Sequence, residues 1–353
     1  MVKQIVLANA PTGFPITEMG KAESTFEIKQ VALPDLKDNQ LLLQTVFISN
    51  DPAQRLWLQQ NRNSERAYMP HIPLGELMRA SSVARVLKST SPSFKEGTMV
   101  QFFGGWAEQL VVDAEDADPL PDLPGVGPSV FLGAVGVPGL TAYFGLKEIC
   151  QLGEGQVIII SGAAGATGNV AVQLAKHVFK ASKVIAIAGS DEKCQWLEKI
   201  GADHALNYKA PAFSDALVEA ARPSYADCYF DNVGGPVLNA CFSAVKRNGC
   251  IAACGSVSGY NNDSSQMALS NWGEVIINRL TVKGFVVMDY YHRRSEAVEV
   301  LSSAIKEGKL TIAGGETIVR CPDFEKIPDV WMRLFRGENT GKLVTQVADF
   351  YSW

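Results

Sequence analysis

The hydrophobic rhythm of the chain changes near its middle. Up to about residue 115 the apolar positions favour strand and loop. LLLQTVFIS at 41–49 is an extended apolar run, and SSVARVLKS at 81–89 and WAEQLVV at 106–112 alternate as half-buried strands do. Turn-rich pieces such as PSFKEGTMV at 92–100 separate them. The pattern predicts a barrel-like or sandwich domain of antiparallel strands. PLPDLPGVGPS at 119–129 is the densest Pro/Gly stretch and suits a domain boundary or a tight surface crossing. The following segment, 131–150, is small, apolar and helical in pattern, with Pro138 at a start or a break.

From residue 156 short apolar runs alternate with amphipathic ones. QVIIIS, SKVIAIAG, DHALNY, ADCYFD and GCIAAC predict five strands, with helices at 166–178, 191–202, 213–221 and 237–245 between them. VKGFVV at 282–287 adds a sixth strand, and a helix over 295–308 closes at Gly308. This alternation predicts an open parallel sheet covered on both faces. The tail alternates again: TIVRC, a helix in FEKIPDVWMRLFRG, then GKLVTQV at 341–347, a strand placed to return to the first domain.

Composition narrows the function classes. The chain has 353 residues, 47% of them hydrophobic and 20% charged, enough for a sizeable core. Its net charge is -5 and it contains no Lys/Arg block, which argues against nucleic acid or an anionic membrane as its main partner. The N-terminal apolar run is too short for a signal peptide, and no stretch approaches the roughly 18 apolar residues of a membrane span. A soluble, cytoplasmic protein is expected. Seven cysteines and four histidines are scattered without metal-ligand spacing, so the cysteines are expected as small buried hydrophobes.

The candidate chemistry begins at SGAAGATGNVAVQLAK, 161–176, between a predicted strand and a helix. Gly165 and Gly168 have the spacing of the last two glycines of a dinucleotide fingerprint, with Ala163 at the first glycine position and Gly162 just before it. Such a turn, continuing through Ala166 and Thr167, lets backbone N–H groups meet a pyrophosphate. A glycine cluster alone would equally serve close helix–strand packing; repeated β-α units favour the cofactor.

The second predicted strand ends Ala188-Gly189-Ser190, without the acid that holds an NAD ribose. Gly189 and Ser190 leave room for a 2'-phosphate, and Lys193 lies on the first helical turn within reach of it. Asp191 has two readings: an N-cap, or a ribose ligand that would favour NAD. NADP is the favoured cofactor. At other strand ends, Asn232 could face the nicotinamide ribose or cap its own turn, and Tyr208 could touch the adenine side or be a plain surface residue.

Several segments together resemble the zinc-free medium-chain dehydrogenase/reductases, within them the prostaglandin reductase and 2-alkenal reductase group, also called leukotriene B4 12-hydroxydehydrogenases. These are GVPGLTAYFGLKEIC at 136–150, AAGATGNVAVQLAK at 163–176, AGSDEKCQWLEKIGAD at 188–203, YFDNVGG at 229–235, CGSVSGYN at 254–261 and GENTGKLV at 337–344. They follow in order over nearly the whole chain. The resemblance implies a mainly-β, GroES-like catalytic domain from 1–125 plus 310–353, with an α/β Rossmann parallel-sheet domain inserted at 126–309. It implies NADP(H) as cofactor, Lys193 and Tyr208 at the 2'-phosphate end, Gly165 and Gly168 along the pyrophosphate, and Asn232 and Asn339 near the ribose and nicotinamide. It places Tyr260 near the carbonyl oxygen of bound enones. Monomer and homodimer both fit it.

Two departures fall in the catalytic domain. NDPAQR at 50–55 carries Ala53 where the family usually has an aromatic residue, and the stretch around 79–82 lacks the family's glycines. The substrate is therefore expected to differ from prostaglandins or short alkenals. Zinc-dependent relatives carry a Gly-His-Glu motif and a four-cysteine lobe. Here Gly75-Glu76-Leu77 stands at the comparable early place and no cysteine precedes Cys150.

The resulting expectation is metal-free reduction of the double bond of α,β-unsaturated aldehydes or ketones by NADPH, with Tyr260 as hydrogen-bond or proton donor. Rival readings are a quinone reductase, a zinc-free ketone or alcohol dehydrogenase, and a non-catalytic NADPH-binding protein.

Overall fold

A computed structural model describes residues 1–60, 63–261 and 267–350. They form two compact units. The first comprises Met1–Leu132, Thr317–Asn339 and the chain from Leu343 on; the second comprises Gly133–Glu316 and Thr340–Lys342.

The first unit opens with an antiparallel pair, β1 (Val2–Leu7) and β2 (Phe26–Val31). Strand β3 (Gln40–Ser49) and a short helix α1 (Gln54–Trp57) follow. Next come β4 (Arg79–Ser89), β5 (Met99–Gly105), β6 (Gln109–Asp113) and β7 (Ala117–Pro119). β3 pairs antiparallel with both β4 and β6, and β5 with both β4 and β7. The alternating apolar positions of β3 and β4 face inward, as their period requires.

Two predicted boundaries move. The turn-rich 92–100 stretch gives way to β5 already at Met99, and the strand read at 106–112 begins only at Gln109. The backbone of Trp106 is occupied elsewhere: its N–H bonds the Met78 carbonyl at 2.8 Å and its carbonyl accepts from Ile5 at 2.8 Å. Its fully buried ring packs 5.1 Å from Phe26 and 5.9 Å from Trp331.

The second unit starts with α2 (Val137–Phe144), whose first turn holds Pro138, where the missing N–H costs nothing. Then follow β8 (Val157–Ile160), α3 (Ala166–His177), β9 (Lys183–Ala188), α4 (Asp191–Lys199), β10 (His204–Asn207) and α5 (Phe213–Ala221). β11 (Ala226–Asp231), α6 (Gly235–Cys241), β12 (Val245–Ala253), α7 (Gly273–Ile277), β13 (Thr281–Gly284) and α8 (Arg294–Lys306) complete it. The sheet order is β10-β9-β8-β11-β12-β13, with every pairing parallel. All four residues of β8 are buried, as a central strand with both faces covered demands. The winding direction reverses between β8 and β11, so a ligand crevice is expected outside their carboxyl ends.

The tail supplies β14 (Glu316–Arg320), α9 (Ile327–Arg336) and β15 (Lys342–Gln346). Gly337, at φ +68°, ends α9 in the left-handed conformation. β15 pairs antiparallel with β3, so the final strand does rejoin the first sheet, in the order β14-β15-β3-β4-β5-β7. Among the described residues no helix is long and apolar enough to cross a membrane.

Candidate active site

The turn after β8 is a backbone construction. Gly162 sits at φ +56°, and a Cβ there would come within 3.3 Å of the Asn232 Cβ. Gly168, in the first turn of α3, lies against the turn itself: a Cβ would fall 2.3 Å from the Gly162 carbonyl oxygen. Gly168 thus serves helix–strand packing. Gly165 is the extended N-cap of α3, and Gly165, Ala166 and Thr167 are half-exposed whereas Gly168–Val170 are buried. Helix geometry leaves the first-turn N–H groups without intrahelical acceptors, so the open end of this turn presents donors and the positive end of the helix dipole.

Two supports of this turn escape the sequence reading. The Gly341 N–H donates to the Ala164 carbonyl at 2.7 Å, and Gly341 forms a parallel bridge with Gly165. Gly341 is at φ +65°, with a Cβ position 1.8 Å from the Gly315 carbonyl oxygen, so only glycine fits. Asn169 Nδ2 donates to the Gly165 carbonyl at 2.7 Å. The GENTG stretch carries glycines, but nothing local shows what they pack on.

A buried polar knot ties the ends of β8 and β11. Asp231 Oδ1 accepts from the Tyr229 hydroxyl at 2.6 Å, Ser161 Oγ at 3.1 Å and the backbone N–H groups of Val233 and Gly234 at 3.0 and 2.9 Å. Burial pushes the Asp231 carboxyl above its ordinary value, while these hydrogen bonds act to lower it. Asn232 does not cap its own backbone: its Nδ2 donates to the Ser161 carbonyl at 2.8 Å and its N–H to Ser161 Oγ at 3.1 Å. The residue is therefore held on the crevice side of β8.

At the ends of β9 and β10 the surface turns cationic. Tyr208 is 43% exposed, and its ring lies over Gly189, 3.0 Å from where a Cβ would stand. The Lys209 ammonium is 5.9 Å from that ring's centroid. Burial, followed by the Lys209 charge, lowers the Lys193 pKa. The N-cap of α4 is Ser190, whose side chain accepts from the Lys193 N–H, not Asp191. The Asp191 carboxylate instead accepts from Asn207 Nδ2 at 2.8 Å. Lys209 lay in the sequence directly after Tyr208 but had no signal of its own.

At the end of β12, Tyr260 follows a short 3-10 turn at Val257–Gly259. Its hydroxyl accepts from the Ser256 N–H at 3.3 Å, and a Cβ on Gly255 would lie 3.1 Å from the Asn232 carbonyl oxygen. Burial pushes the nearby Cys254 thiol up to about 12, so it stays protonated at neutral pH and is no nucleophile. Asn339 belongs to the first unit, just beyond the glycine cap of α9. Among the described residues no group of three or more His, Cys, Asp or Glu could hold a metal ion.

A doubly wound parallel sheet with a glycine turn at its switch point, beside a mainly-β unit rejoined by the tail, defines the medium-chain dehydrogenase/reductase architecture. Residues 3–120 match the family described as the N-terminal domain of oxidoreductase, and residues 166–303 the family described as zinc-binding dehydrogenase. Bovine prostaglandin reductase 1 is 38% identical, covering 92% of this chain and 94% of its own. An uncharacterized membrane protein of Saccharomyces cerevisiae is 37% identical with 98% of each covered. The NADP(+)-dependent 2-alkenal reductase of Nicotiana tabacum is 34% identical, with 98% and 97% covered. The crystal structure of CurA from Vibrio vulnificus in complex with NADPH superposes with a TM-score of 0.85 at 30% identity, covering 98% of this chain and 99% of CurA. The chain belongs to the prostaglandin reductase and 2-alkenal reductase family of medium-chain dehydrogenase/reductases.

Proposed function

We propose that this protein is a cytoplasmic oxidoreductase that reduces the carbon–carbon double bond of α,β-unsaturated aldehydes or ketones with NADPH, without a metal. One observation carries the reading: the order of the candidate groups along the sheet edge. Lys193, Tyr208 and Lys209 stand at β9 and β10, the glycine turn at β8, Asn232 at β11 and Tyr260 at β12. That is the order of 2'-phosphate, pyrophosphate, nicotinamide ribose and reacting end in an extended NADPH. From β9 to β12 is three strand spacings, about 14 Å, a length such a ligand spans.

The residues present fit the cofactor. Gly162 and Gly165 keep the turn free of side chains, the start of α3 offers donors to the pyrophosphate, and Lys193 and Lys209, near enough that the Lys209 charge lowers the Lys193 pKa, offer two cations to a 2'-phosphate. The occupation of Asp191 by Asn207 removes the acid that would have favoured NAD. When bound, NADPH supplies the hydride, which goes to the β carbon of the substrate. Negative charge then develops on the carbonyl oxygen. The Tyr260 hydroxyl donates a hydrogen bond there, strengthened because it accepts one from the Ser256 N–H. A proton from Tyr260 or from water completes the saturated product at the α carbon. Asn232, tied to Ser161 at the ends of β8 and β11, would face the ribose of the bound cofactor. Hydrogen bonds take the charge-stabilising role that zinc has in metal-dependent relatives, since neither zinc motif is present in the sequence.

The test is NADPH consumption with a panel of α,β-unsaturated aldehydes and ketones, with each product identified. A saturated carbonyl product is expected. An allylic alcohol, a quinol, or NADPH binding without turnover of any enone would replace this reading with one of its rivals.

A further inference from the structure

Tyr229 stands two residues before Asp231 on β11, so both side chains leave the same face of that strand. It is wholly buried, in the apolar core that contains Ile159, Ile185, Phe242 and Ile251. A phenylalanine ring would fill that space as well. The hydroxyl is therefore the part that packing does not explain. A buried hydroxyl is costly unless it is hydrogen-bonded, and this one lies 2.6 Å from Asp231 Oδ1 and 2.9 Å from Ser161 Oγ. Burial pushes the phenol well above its ordinary pKa, so it keeps its proton and donates.

Both partners act on the sheet edge. A serine hydroxyl has three staggered positions. The Tyr229 hydroxyl and Asp231 Oδ1, at 2.9 and 3.1 Å, hold Ser161 Oγ in the one that accepts from the Asn232 N–H. The Ser161 carbonyl accepts from Asn232 Nδ2. Asp231 Oδ1 in turn accepts from the N–H groups of Val233 and Gly234, the two residues after Asn232. Asn232 is thus gripped from both sides, and its seat is narrow, with the Cβ position of Gly162 3.3 Å from its own Cβ. Nδ2 is committed to Ser161, which leaves the amide oxygen as an acceptor for a ribose hydroxyl. Tyr229 is too deeply buried to touch a ligand, so any effect it has on one passes through this seat.

We infer that the Tyr229 hydroxyl is a positioning group for the nicotinamide ribose: through Ser161 and Asp231 it holds Asn232 with its amide oxygen open to that sugar. This rests on the reading above that sets Asn232 at the ribose. A hydroxyl that served stability alone would affect both halves of the cofactor. Adenosine 2',5'-bisphosphate separates the two cases, because it carries the 2'-phosphate end and no nicotinamide ribose.

Calorimetry on the full chain measures the Kd of NADPH and of adenosine 2',5'-bisphosphate for the wild type, Tyr229→Phe, Asn232→Ala and the double variant. Tyr229→Phe is expected to weaken NADPH about tenfold and to leave the bisphosphate unchanged. Unchanged bisphosphate binding also shows that the variant is folded. Asn232→Ala should show the same split, and adding Tyr229→Phe to it should cost little more, because the hydroxyl acts through the side chain already removed. Ser161→Ala breaks the relay without altering the core ring and is expected to show the split as well. Normal NADPH binding by Tyr229→Phe or Ser161→Ala, equal weakening of both ligands, or losses that multiply in the double variant overturn the inference. Normal NADPH binding by Asn232→Ala refutes the ribose reading itself, and the inference with it.

Discussion

The glycine turn after β8 in the second unit and the β4–β5 pair of the first unit are built in opposite ways. The turn is made of backbone. Its shape is fixed by positions where a Cβ has no room, by the Gly341 bridge and by the Ser161–Tyr229–Asp231 knot below it. β4 carries no glycine and runs as a regular ladder of side chains, although Gly104 and Gly105 opposite it on β5 have no room for a Cβ. A phosphate-binding turn tolerates few residues because its donors are main-chain groups in an unusual conformation. This difference explains how the cofactor half keeps the family pattern while the departures gather in the other unit.

If that contrast is right, the largest effect comes from a single methyl group on the backbone side. Gly341→Ala must leave the left-handed region or collide with the Gly315 carbonyl, and should cost roughly 3 kcal/mol of stability along with NADPH binding. Thermal unfolding and NADPH fluorescence titration check it; a wild-type melting temperature with normal binding would break the comparison.

Side chains on the same sheet edge should give graded losses. Tyr260→Phe is expected to lower kcat about 100-fold with NADPH affinity intact, and full turnover would refute its role. Lys193→Ala should weaken NADPH about tenfold and leave NADH unaffected. Equal weakening of both cofactors in steady-state kinetics would assign the lysine to general folding.

The smallest effect is expected away from both surfaces. Glu296 binds Lys147, Tyr143 and Arg293, which hold its carboxyl down to about 2, with the Lys147 hydrogen bond the largest cause. A depressed acid contributes stability that is complete above its unfolded value of 4.5 and fades as pH falls through about 2. The groups are a third exposed, so Glu296→Gln should lower stability near neutral pH by no more than about 1 kcal/mol. The gap to wild type should close on acidification, which melting curves across that pH range would show; a gap that persists at the acid end would assign the loss to packing.

Much of the second unit was legible in one dimension. Buried strands such as VIII at 157–160, and helices whose apolar stripe recurs every three to four residues, declare themselves through local period. The first unit was less legible. Trp106 sits in an alternating run, yet its backbone serves β1 and Met78 rather than β6, and such pairing depends on partners a hundred residues away.

The sequence by itself determined the α/β alternation, the β8 turn and its NADP-like second strand, because each depends on residues adjacent in the chain. Only the tertiary structure decided that Gly341 backs the β8 turn, that Asn207 takes Asp191, that the Lys209 charge acts on Lys193, and that Gln54, next to Ala53, reaches the Arg79 carbonyl. The reason is physical: local period fixes which way a side chain points along its own element, but which distant group it meets is set by strand order and register.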